Sequence, residues 1–161
     1  MAEYGESHQN GTNKLIHWVC VPLIMFSLTG LLWSIPVNNL QKLFPVSISF
    51  FVNWGTLFLV LALVFYLRLS VAMFLGMLVI AALMVAGIYL IQRHIALPLW
   101  AVSLAVFAGA WVGQFVGHKI EGKKPSFLKD VQFLLIGPAW LLSFVYKKMG
   151  IPYQKTGKSK I

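Results

Sequence analysis

Charge is scarce in this 161-residue chain: 11% of its residues are charged, where a soluble domain carries about a quarter. Acid is scarcer still, with four Asp and Glu against thirteen Lys and Arg, a formal net charge of +9. Apolar residues make up 59% of the chain and its mean hydropathy is +0.80, so there is too little polar surface to cover a water-soluble globule. The lipid bilayer is the remaining solvent. A lone cysteine, Cys20, excludes an internal disulfide and any cysteine-rich structural zinc site. The basic excess does not point to nucleic acid. Nine of the thirteen Lys and Arg lie between Lys119 and Lys160, beside apolar runs, where anionic headgroups attract them.

Four stretches reach the roughly 20 residues that cross about 30 Å of hydrocarbon: 16–35, 46–67, 71–91 and 97–117. They predict an all-α integral membrane protein, one membrane domain over 1–161, built on a four-transmembrane-helix bundle. Residues 1–15 form a cytoplasmic N-terminal segment in this reading. Glu3 and Glu6 stand where a signal peptide has its basic region, and no small-residue cleavage site follows, so the first span is expected to stay in the mature protein. Short connections at 36–45, 68–70 and 92–98 favour antiparallel neighbours. Gly109, Gly113 and Gly117 recur at the four-residue spacing that lets helices approach closely in lipid.

A fifth apolar stretch, 131–146, is shorter and carries Gly137 and Pro138 near its middle. With four spans, eleven of the thirteen basic residues share the face of both termini, which the positive-inside rule places in the cytoplasm. A full crossing by 131–146 would cancel much of that asymmetry. The stretch is therefore read as a re-entrant or interfacial helical hairpin broken at Pro138, followed by a basic tail at 154–161. Compact loops suit a prokaryotic inner membrane, or the endoplasmic reticulum in a eukaryote. No oligomeric state is read from these residues.

Titratable residues near membrane depth are costly unless something pairs with them, so they are the informative ones. The chain has four histidines. The topology puts His8 and His17 at the start of the first span and His118 at the end of the fourth, on one face. His94 falls in the loop on the opposite face and is read as solvated. Residues three or four apart share a helix face: Gln114, His118 and Glu121 form one polar stripe if the fourth helix continues a turn past Gly117, and Asn13 with His17 forms another. His8 joins them only if the chain breaks between it and His17, and Asn10-Gly11 supplies a turn, with Thr12 as a cap for the helix that follows.

Three neutral imidazoles with one carboxylate suit a first-row divalent metal such as Fe(II) or Zn(II), with positions open for substrate or oxygen. Asn13, Gln114 and Glu121 then orient the imidazoles as outer partners, or Glu121 is itself a ligand. A single interfacial histidine ordinarily bonds to water or headgroups; three with such neighbours point to a metal site.

These motifs, Tyr4-x3-His8-x4-Asn13-x3-His17 with Pro22, then Gln114-Phe115-x-Gly117-His118-x2-Glu121-x3-Pro125 with Gly137-Pro138, resemble a family of small membrane fatty acid α-dioxygenases, formerly a domain of unknown function. Its yeast member acts in phytosphingosine breakdown to odd-numbered fatty acids. The resemblance spans Tyr4 to Pro138. It implies an Fe(II)-dependent dioxygenase that takes a 2-hydroxy fatty acid and O2 to the acid one carbon shorter. His8, His17 and His118 match the family's histidines and by that resemblance are metal ligands, with Glu121 as a catalytic candidate and Asn13 and Gln114 in support. Cys20 and Ser126 stand where the family pattern has glycine and alanine, and in some members the acidic residue lies four positions after the last histidine; no histidine is lost.

The layout suits that chemistry: an acyl chain in an apolar cavity among the helices, with its carboxylate and 2-hydroxyl at the cytoplasmic rim, where Lys14, Lys119 or Lys123 attract it. The same lysines also serve by snorkelling to headgroups. Membrane di-iron enzymes need many more histidines than four. A b-type haem needs only two, and His17 with His118 would supply them. A non-enzymatic transporter or partner helix bundle is the other alternative, although the middle of every span lacks the charge that a proton relay ordinarily places there.

Overall fold

The computed structural model describes residues 10–122 and 134–153, and of 38–40 the backbone alone. Helix α1, Gly11–Trp33, starts before its apolar run because Asn10 caps it. The Asn10 Oδ1 accepts from Thr12 N at 2.9 Å and Asn13 N at 3.4 Å, satisfying N–H groups that a first turn leaves without helical partners. The cap is thus Asn10 rather than Thr12.

A 3-10 helix, Asn38–Leu43, and a single-turn helix α2, Val46–Ser49, lead into α3, Trp54–Leu69. The stretch 46–67 is therefore not one continuous helix, and Asn53 is the reason. In extended backbone, it accepts from Thr56 N at 2.8 Å and donates through Nδ2 to Phe50 O at 2.8 Å. An asparagine side chain that competes in this way for backbone groups favours a cap over a helix interior. Helix α3 has 16 residues, a length of about 24 Å.

Ser70 then reverses the chain and caps α4, Val71–His94, its Oγ accepting from Met73 N at 3.1 Å. Helix α5, Leu99–Glu121, runs one turn past Gly117 and stops at Gly122, whose φ of 71° is a left-handed value that glycine adopts without steric cost. Helix α6, Ile136–Met149, has Pro138 in its first turn, where the missing N–H is no loss. No break occurs at Pro138, so a continuous helix stands where a hairpin is expected; residues 131–133 of that stretch lie outside the described residues. All elements described are helical, and α1, α4 and α5 are long and apolar enough to cross a membrane, with α3 a shorter apolar helix.

The long helices alternate in direction. Asn13, Cys20 and Gly30 of α1 lie against Gly117, Gly113 and Ser103 of α5 in that order, an antiparallel pair and the most extensive helix contact among the described residues. A Cβ at Gly113 would stand 2.6 Å from Cys20 Sγ, and one at Gly117 would collide with Asn13 Oδ1. Gly109, the third member of the glycine stripe, has nothing within 4 Å of its Cβ position and takes no part in this approach. Gly117→Ala is expected to destabilise by about 1–3 kcal/mol through overpacking. Gly109→Ala should be neutral or slightly stabilising, as alanine favours a helix interior. Melting in detergent compares the two, and equal melting points would contradict the packing assignment.

The core between α1, α3, α4 and α6 gathers Met25, Leu59, Ala62, Met73, Met77 and Ala139. Helix α6 is fixed by two tyrosines: Tyr66 Oη donates to Leu135 O at 2.8 Å and Tyr146 Oη donates to Ala72 O at 2.6 Å. Tyr66 and Ala72 flank Ser70, so both ends of α6 are fastened near one end of the α3–α4 hairpin. That end also holds the start of α1 and the close of α5.

Candidate functional site

Two polar stripes meet where α1 begins and α5 ends. On α1, Asn13 and His17 are each 0% exposed; on α5, Gln114 and His118 are each 5% exposed. The rings of His17 and His118 lie edge to face, centroids 5.3 Å apart and planes at 89°. His17 Nδ1 sits 2.9 Å from Asn13 O, and since a carbonyl can only accept, Nδ1 carries the proton. A neutral ring with its proton there has Nε2 as its lone-pair atom. This is how proteins commonly fix a ligating histidine.

Glu121 clamps the start of α1. Its carboxylate accepts from Asn10 N at 3.0 and 3.2 Å and from Asn13 Nδ2 at 2.9 Å. The charge also complements the positive end of the α1 helix dipole. The clamp leaves Asn13 Oδ1 buried, with no hydrogen bond among the described residues, and held against Gly117. Gln114 lies one turn before His118 on the same face.

Of the residues singled out from sequence, Asn13, His17, Gln114, His118 and Glu121 share this junction. His94 ends α4, exposed, at the far end of the bundle. His8, Lys123 and the Pro125-Ser126 pair lie outside the described residues. Among the described residues no three His, Cys, Asp or Glu side chains gather as a metal-binding group. Sequence reasoning took Asn10 only as a turn signal, whereas it both caps α1 and donates to Glu121; an asparagine directly before the first turn was the available clue to the cap, and none pointed to Glu121.

The two imidazoles stand side by side at the junction, ring centroids 5.3 Å apart. The donor set, neutral imidazole nitrogen with amide and carboxylate oxygens nearby, suits iron or zinc.

Comparison with known proteins agrees with the sequence resemblance. The chain is 28% identical over 151 residues to the 2-hydroxy-palmitic acid dioxygenase MPO1 of Saccharomyces cerevisiae, covering 92% of this chain and 79% of the yeast protein. No solved structure matches it. Residues 1–149 match the family described as 2-hydroxy-palmitic acid dioxygenase Mpo1-like, and the chain belongs to that family.

Proposed function

We propose that this chain is an Fe(II)-dependent dioxygenase carrying out α-oxidation of 2-hydroxy fatty acids. The 2-hydroxy acid and O2 give the acid one carbon shorter, CO2 and water, which balances atoms and electrons without a further reductant. The observation that carries this reading is the buried, perpendicular His17–His118 pair at 5.3 Å, with the His17 proton committed to Asn13 O.

His17 and His118, joined by His8, are the residues that would hold iron in this reading. When bound, iron supplies a site at which the substrate's carboxylate and 2-hydroxyl meet O2, removing the entropy of their encounter. Asn13 O holds the His17 ring in one tautomer. Glu121 and Asn10 fix the start of α1, so that the His17 ring cannot rotate away with a fraying helix end. Gln114, buried beside His118, offers an amide to the substrate's polar head, and Lys14 and Lys119 lie near enough in sequence to draw its carboxylate to the rim. Burial of the pair keeps bulk water from the reacting carbon.

The membrane reading is finer than three long apolar helices. Helix α3 serves as a fourth crossing, since it lies antiparallel between α1 and α4 in the same bundle, and α6 lies at the cytoplasmic end, both of its ends being fastened beside Ser70. The basic residues of the Arg68 connection and of Lys119 onward then face the cytoplasm. A prokaryotic inner membrane, or the endoplasmic reticulum, is the compartment proposed.

Elemental analysis and an absorption spectrum of anaerobically purified protein test this reading. About one iron per chain without a Soret band, and conversion of 2-hydroxypalmitic acid to pentadecanoic acid with O2 uptake, are expected. A Soret band would move the histidines to haem ligation, and absence of any metal would return them to interfacial residues and favour a transport or partner role.

A further inference from the structure

An apolar cavity of about 180 Å³ lies beneath α6, walled by Trp18, Pro22 and Met25 of α1, Ile80 and Met84 of α4, and four residues of α6 that include Leu142. No charged or polar side chain lines it. The wall on α1 descends at positions i, i+4 and i+7, one helix face. Trp18 adjoins His17 in sequence and so sits at the depth of the imidazole pair, while Met25 lies seven residues further, about 10 Å deeper along the helix. The cavity thus runs from the level of the imidazole pair toward the middle of the bundle. We infer that it receives the part of the acyl substrate's hydrocarbon tail nearest the polar head, with Met25 and Met84 meeting the tail at the cavity's far end. This inference rests on the proposed dioxygenase reading.

Three features of the wall favour a tail over ordinary packing. Helix α6 walls the cavity without filling it, and exposed Trp18 and Pro22 leave it a side by which a chain can enter. Pro22 and Pro138, on facing helices, both line it, and neither has an N–H to present to an apolar guest. The two side chains at the far end are methionines, unbranched and able to adjust to guests of different length.

Two measurements on the full chain in vesicles test the inference. In the first, kcat/KM is compared for saturated 2-hydroxy acids from eight to eighteen carbons. Met84→Trp is expected to lower the ratio of sixteen- to eight-carbon turnover by about tenfold or more, since each buried methylene contributes about fourfold. Met84→Ala is expected to shift preference toward longer acids, and Leu83→Trp, on the lipid-facing side of α4 at 67% exposure, should leave the preference unchanged. Unaltered preference in both Met84 variants would overturn the inference while leaving the dioxygenase reading intact.

The second measurement needs no turnover. 2-Hydroxypalmitic acid with a diazirine near the middle of its chain is photolysed with the protein, and the labelled residues are mapped by mass spectrometry. Labelling at Met25, Ile80 or Met84 that unlabelled 2-hydroxypalmitic acid displaces, and excess phospholipid does not, supports a tail site even for an inactive preparation. Labelling confined to exposed faces, or displaced equally by phospholipid, would show that bulk lipid fills the cavity and would overturn the proposal.

Discussion

His118→Ala and His17→Ala are expected to lose bound metal and to drop turnover by more than about a hundredfold, beyond the 10–100-fold typical of losing a supporting partner. The two rings face each other across the α1–α5 contact at 5.3 Å, and no other described residue can replace either imidazole at that junction. His94→Ala should behave as the parent protein, because His94 is exposed at the opposite end of α4. Metal content, turnover and melting temperature measured on the same samples separate loss of the site from loss of the fold. A variant that melts like the parent but carries no metal confirms ligation. Equal losses at His94 would sink the assignment. His8→Ala completes the set, and full metal retention there would reduce the proposed ligands to two.

The second large effect is expected at Glu121, where two roles make different forecasts. As a clamp, Glu121 accepts three hydrogen bonds from Asn10 and Asn13, and removing it leaves the Asn13 amide buried without a partner, at a cost of about 1–3 kcal/mol. Glu121→Ala is then expected to lower stability by that amount and turnover by about 10–100-fold, with metal affinity reduced. Glu121→Gln keeps an acceptor for Asn13 Nδ2, and should recover most of the stability and the metal. If Glu121→Gln instead abolishes metal binding while melting normally, the carboxylate is a ligand rather than a clamp. Isothermal titration with Fe(II) under anaerobic conditions, beside melting curves, distinguishes the two.

How much of this was legible in the residues depends on the length scale involved. The existence of long apolar helices follows from run length alone, and the convergence of Asn13, His17, Gln114, His118 and Glu121 follows from helical spacing once α1 and α5 are taken as antiparallel. Helix ends were harder, because local side-chain bonds decide them. Asn53 divides a run that hydropathy treats as continuous, and Asn10 extends α1 into residues that hydropathy treats as polar. Pro138 shows the same limit from the other side: a proline breaks a helix interior but suits a first turn, and the sequence does not say where the turn begins. The partner of Glu121 and the cavity under α6 were out of reach, since both depend on which faces three separate helices turn toward one another.

The paired imidazoles come from the first and the last of the long helices, about a hundred residues apart in the chain. During synthesis, α1 emerges with His17 long before α5 supplies His118, and the α3–α4 hairpin is made in between. The junction therefore cannot assemble until α5 has left the ribosome, and a product cut short before α5 would present His17 without its counterpart. Maturation of the site is thereby tied to the arrival of α5, and a copy without that helix has no means of bringing the two rings together.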